Sequence, residues 1–181
     1  MSTSTLPSRI QEVAPEDMTD AQKAGVAALL AGRGRLLTPY KIWMHSPELM
    51  AAMEQLGTFL NKRSSLTERE VELGICLAAK RWAGEYVFAA HERMCLGLGF
   101  PQSVLDAVRD GREPELPDAR ERAVYDIATL ANAPGAGDDS VFDGAVAVLG
   151  REGLAEVICL LGYYSAVAIG MKLHRVPVPR G

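Results

Sequence analysis

Apolar residues in this chain recur every three or four positions between helix start and stop signals, and nowhere do they alternate over a useful length. This is the strongest constraint on the fold, because side chains repeat about every 3.6 residues on a helix and every second residue on a strand. The expected class is therefore all-α. Thr19 and Gln22 form a capping box that opens a first helix, and Gly32 and Gly34 close it. Pro39 argues against a helix in Arg35–His45, which reads as an ordered connector. Ser46-Pro47-Glu48 is a strong start, with a hydroxyl N-cap, a proline at the first helical position and an acid at the positive end of the dipole. Leu49, Met53, Leu56 and Leu60 follow as one apolar stripe.

A second capping box, Thr67 with Glu70, opens a helix through Val71, Leu73, Ile75, Leu77 and Ala79 toward Trp82. It is apolar on nearly all sides, so it is expected at the centre of the molecule. Gly84 marks a break, and the next helix runs from about Glu85 to Leu98, stopped by Gly97 and Gly99. Pro101 to Gly111 reads as a short helix, Arg112–Pro117 as a turn, and Asp118 as the cap of a helix through Val124, Ile127, Ala128 and Ala131. Asn132–Asp139 is a Gly/Pro/Asp loop, and Ser140 leads into a short amphipathic helix. After Gly150 a long apolar helix runs from about Gly153 to Leu173, with Pro177 and Pro179 closing the chain.

A length of 181 residues suits one domain, expected over 19–181 behind an N-terminal tail, 1–18, whose first part, Met1 to Arg9, reads as frayed. The net charge of −4 leaves no basic excess for gripping phosphates, so nucleic acid is not an expected partner. Cys76, Cys95 and Cys159 are odd in number and widely spaced, which suits a reducing compartment and gives a cytoplasmic expectation. The Ser/Thr-rich start lacks the apolar stretch of a secretory signal. Val157–Met171 is uncharged over 15 positions, whereas a bilayer needs about 20, so a helix buried in a core or subunit interface is expected rather than a membrane span.

Glu72 stands between Val71 and Leu73 in the most apolar helix of the first half, where a carboxylate must find a partner or face water. If that helix and the next form an antiparallel hairpin, residues equidistant from the Ala79–Gly84 hinge share a height, and His91 is the position so matched to Glu72. The same face of the second helix carries Gly84, Val87, Met94 and Cys95 beside His91. A carboxylate that fixes the tautomer of an imidazole in apolar surroundings makes a reasonable general acid/base; the same pair could equally do nothing but support packing. Glu85 could reach the mouth of such a pocket or simply favour the helix N-terminus. Cys76 and Cys95 lie one turn from Glu72 and His91, so both thiols could face the same place. His45 precedes an N-cap and His174 has no nearby acid; the three histidines show no metal-ligand spacing, and no metal is expected. Tyr163 and Tyr164 read as packing residues of the last helix.

The runs Leu66-Thr67-Glu68-Arg69-Glu70-Val71-Glu72-Leu73, Gly84-Glu85-Tyr86-Val87-Phe88-Ala89-Ala90-His91 and Gly97-Leu98-Gly99 resemble the carboxymuconolactone decarboxylase and alkylhydroperoxidase D-like superfamily. Tyr40 to Leu49, Leu160-Leu161-Gly162-Tyr163-Tyr164 and Val176-Pro177 extend the resemblance over roughly residues 35–179, and the interval from Glu72 to His91 fits it. It implies a helical bundle with a central antiparallel helix pair. Peroxidase members carry Cys-x-x-Cys seven and four residues before the histidine, where this chain has Gly84 and Val87, so thiol–disulfide turnover by that route is impossible. The wording is closer to the decarboxylase branch, which implies a cofactor-free acid/base enzyme for a small carboxylated or lactone-type substrate of aromatic catabolism. By that resemblance His91 would transfer protons, Glu72 would orient or tune it, and Glu85 would transfer a proton or touch substrate, with Val87, Phe88 and Met94 lining the pocket. A homo-oligomer, trimer or hexamer, is also implied. The alternatives are a non-catalytic helical oligomer that binds a small molecule, and a thiol-dependent peroxidase using Cys76 and Cys95.

Overall fold

The computed structural model describes residues 6–135 and 137–178, and all the regular structure among them is helical. The helices are α1 (Asp20–Arg33), α2 (Thr38–Trp43), α3 (Pro47–Lys62), α4 (Glu68–Arg81), α5 (Glu85–Gly97), α6 (Gln102–Asp110), α7 (Ala119–Asn132) and α8 (Asp139–Leu173). Both expected capping boxes are formed: Thr19 with Gln22 starts α1, and Thr67 with Glu70 starts α4. Asp118 caps α7 by accepting from the backbone N–H of Arg120 and Glu121. Gly34 and Gly111 end α1 and α6 in the left-handed conformation that a glycine adopts without a Cβ clash.

Two local expectations are corrected and a third is met. Pro39 does not exclude a helix: it sits in the first turn of α2, where its missing N–H would have had no intrahelical acceptor. Ser46 is the N-cap of α3 but its hydroxyl makes no capping bond, so Pro47 and Glu48 mark that start without it. The two helices expected on either side of Gly150 are found: α8 is kinked there, with Gly150 itself non-helical at φ 72° and ψ 170°.

Helix α4 is the central element, packed against α5, α7 and α8, and Glu70 to Cys76 are all buried along it. Its N-terminal end is clamped by two ion pairs. Arg120 on α7 holds the carboxylate of buried Glu70, while Arg69 holds Glu121 and also donates to the Leu98 carbonyl at the end of α5. A buried charge removed from water is tolerated when paired in this way. Glu156, also buried, accepts instead from the backbone N–H and hydroxyl of Ser65.

The apolar stretch of α8 is long enough by length and composition to cross a membrane, and half of its most hydropathic 18-residue window is buried against the rest of the chain. The described part of the expected tail is anchored rather than frayed. Arg9 N–H donates to the His174 carbonyl at 2.8 Å, Lys41 pairs with Glu12, and Val13 and Met18 pack on the core. Met1–Thr5 of that tail, and Pro179 at the other end, lie outside the described residues.

Candidate functional site

Glu72 and His91 meet. The imidazole Nδ1 lies 2.6 Å from Glu72 Oε2, a short contact of the charge-assisted kind. The pairing differs in register from a hairpin that sets 72 directly opposite 91, since such a hairpin would set Cys76 opposite Val87. Instead Cys76 Sγ lies 3.8 Å from Cys95 Sγ. Positions 72 and 76 of α4 therefore face 91 and 95 of α5 as one four-residue cluster, and the long Glu72 and His91 side chains reach diagonally across it.

The cluster is graded in exposure. Both thiols are sealed at 0%, the Glu72 side chain keeps 8% of its surface, and the His91 side chain keeps 19%. A carboxylate that accepts from Nδ1–H leaves Nε2 as the proton acceptor of a neutral ring, and only the histidine end of the pair reaches solvent. The other acids buried among the described residues are held by arginines or by Ser65, so Glu72 is the one whose partner is an imidazole.

Two residues outside the sequence expectation complete the surroundings. The Tyr164 ring stands edge-on to His91 with centroids 5.5 Å apart, and its hydroxyl donates to Asn61 Oδ1 at 3.0 Å. Burial pushes the Tyr164 hydroxyl up, so it stays a neutral donor. Tyr164 does pack within the last helix, as its neighbour Tyr163 does at 5.1 Å, but it also walls the histidine. The sequence signal for this was a pair of polar-tipped aromatics in an otherwise apolar segment; its target on α3, 103 residues away, could not be read.

The remaining expected residues divide. Glu85 is not brought to the pair: its side chain is 69% exposed, and its charged neighbour is Arg109 of α6, 3.9 Å away. Arg109 also binds Glu92 and lies over the Phe88 ring at 4.4 Å, so that face of α5 is committed to α6. Val87 and Phe88 are core residues, while Met94, one turn beyond His91, is 52% exposed. Of the three, only Met94 thus stands open beside His91. The two concavities described lie elsewhere. One, of about 250 Å³, runs along α4, α7 and α8 past Trp82 and Ile158; the other, of about 200 Å³, is lined by Arg9, Lys41, His45 and His174. In the second, Arg9 donates to the Leu173 carbonyl and His174 Nδ1 to the Gly170 carbonyl, so these side chains satisfy the C-terminal end of α8. No group of three or more His, Cys, Asp or Glu side chains placed so that they could hold a metal ion occurs among the described residues.

No family model matches the chain, and no curated protein matches it. Solved structures do. An uncharacterized peroxidase-related protein from Silicibacter sp. TM1040 superposes with a TM-score of 0.73 at 15% identity, covering 96% of this chain and 93% of the other. The debrominase Bmp8 superposes with a TM-score of 0.71 at 12% identity, over 98% and 94% of the two chains. A protein of unknown function from Agrobacterium tumefaciens, assigned provisionally to antioxidant defence as AhpD, gives 0.65 at 17% identity, over 77% and 96%. Similarity at such low identity speaks for architecture and not for chemistry. The eight α-helices of the described residues take the fold of these structures, the alkylhydroperoxidase D-like fold.

Proposed function

We propose that the chain is a cofactor-free acid/base enzyme, resembling carboxymuconolactone decarboxylase, for a small carboxylated or lactone-type substrate. The observation that carries this reading is the 2.6 Å contact between Glu72 and His91, with the imidazole at the accessible end. Glu72 holds the ring in one tautomer and stabilises the imidazolium that forms when Nε2 takes a proton. Loss of carbon dioxide leaves an electron pair that a neighbouring lactone carbonyl can accept, and the protonated ring then returns its proton to carbon. Substrate approaches from the open side of His91, where Met94 is exposed and Tyr164 forms the wall. The chemistry asks nothing of Glu85 from the same chain.

The test is turnover of a panel of carboxylated lactones, with carbon dioxide release as the readout. His91→Ala should abolish it and Glu72→Gln should lower it by about 100-fold or more; full activity in His91→Ala ends the assignment.

A second reading, a non-catalytic oligomer that binds a small molecule, is favoured by one observation: the Glu72–His91 contact lies between packed helices, with Glu72 only 8% exposed, as a pair that merely supports packing would. Under it, His91→Ala lowers thermal stability and leaves ligand affinity per folded molecule unchanged. A peroxidase turning over through Cys76 and Cys95 has less support, because both thiols are fully buried and Cys76 is pushed up by its hydrogen bond with Cys95 and by burial, away from the reactive thiolate. Assembly into a homo-oligomer belongs to the same proposal. It is supported by the apolar face that α8 leaves uncovered, with Ile158 at 54% exposure beside the α4–α7–α8 groove.

A further inference from the structure

Acid/base chemistry at His91 leaves two buried nucleophiles unused. Cys76 and Cys95 occupy the sealed half of the four-residue cluster, with their sulfurs 3.8 Å apart and no exposed surface on either residue. Cys159, the remaining cysteine, sits on α8 at intermediate exposure. Each buried thiol is a weak donor and a weak acceptor, and each is the other's hydrogen-bond partner. A disulfide needs its sulfurs at about 2.05 Å. The closing movement between the sulfurs is therefore shorter than 2 Å.

We propose that Cys76 and Cys95 are an oxidation site, closed to an intramolecular disulfide by a small neutral two-electron oxidant of the hydrogen peroxide class. One sulfur attacks a peroxide oxygen; the O–O bond breaks, the thiol proton leaves with the departing oxygen as water, and a sulfenic acid remains. The second sulfur attacks the first, an S–S bond forms, and the sulfenic oxygen leaves with the second thiol proton as another water. Two thiols and one peroxide become one disulfide and two waters. The two electrons come from the sulfur pair and reduce the peroxide.

Burial gives this site its selectivity. A bulky reagent is excluded, and the hydrogen bond and burial that push the Cys76 thiol up keep the reduced pair quiet. A small uncharged oxidant needs only transient local opening of the α4–α5 contact. Because Glu72 and Cys76 share a turn of α4, as His91 and Cys95 share one of α5, the disulfide fixes the two helices directly beside the acid–histidine pair.

The full chain, treated with hydrogen peroxide and quenched, should lose about 2 Da, the mass of two hydrogens. Of three cysteines, only Cys159 should then be alkylated after denaturation. Peptide mapping should join Cys76 to Cys95, and before oxidation a bulky maleimide should label native protein at Cys159 alone. Cys159→Ser should keep the mass loss, and Cys76→Ser should abolish it. Survival of three alkylatable thiols after treatment, or a cross-link that includes Cys159, overturns the proposal. No substrate enters the experiment, so its failure and the failure of the acid/base reading are separate outcomes.

Discussion

His91 has two obligations, since the ring that would move a proton also satisfies a carboxylate only 8% exposed. Replacing it with alanine leaves Glu72 unpaired in apolar surroundings, an expected cost of about 2 kcal/mol in urea unfolding. Glu72→Gln in the same molecule should recover part of that loss, because a neutral amide is cheaper to bury than a lone carboxylate. A different acid sets the response to low pH. Burial pushes Glu54 up, but hydrogen bonds from Arg33 and Thr58 outweigh it, and the carboxyl lies below its ordinary value of 4.5. A folded value lower than the unfolded one means that this contribution is complete above pH 4.5 and is lost as pH falls through the lower folded value. Denaturation midpoints measured downward from about pH 5 should fall less steeply in Glu54→Gln than in the parent chain.

Among the helices, the approach of α5 to α8 is set by Gly84. A Cβ there would stand 2.7 Å from Ala168 Cβ and 3.2 Å from its Cα, and neither atom can swing away. Gly84→Ala should cost about 2 kcal/mol by overpacking and should disturb the start of the helix that carries His91. Gly74→Ala is the control: its Cβ would meet Leu160 Cδ2 at 2.7 Å, the far end of a flexible side chain, so a smaller drop in melting temperature is expected. At Gly84 the space is filled by the neighbouring helix, and a side chain there would have no room. The element boundaries were legible because Thr19, Thr67, Asp118, Gly34 and Gly111 act through bonds within a few residues of themselves. Helix α2 was not, because a proline reads as a breaker unless the helix start is already known.

The whole molecule leaves α8 half wrapped. Its uncovered face and the groove past Trp82 and Ile158 lead to the expectation that light scattering will report a multiple of the 19.5 kDa chain. A mass of one chain would refute assembly, and Ile158→Asp should reduce an assembled mass if this face carries the contact. The candidate site shows a similar incompleteness, since Met94 stands open beside His91 and Glu85 turns toward α6.

The amino-acid order alone determined the helical class, most helix ends, the central place of α4 and the pairing of Glu72 with His91, because periodicity, capping and the cost of a buried charge are local or nearly local effects. It did not determine the register of α4 on α5, which set Cys76 against Cys95, nor the wall that Tyr164 and Asn61 build around the histidine. Those were decided by how α8 and α3 pack on the central pair, and packing between elements distant in sequence depends on the shapes of many side chains at once, with no single spacing along the chain to announce it.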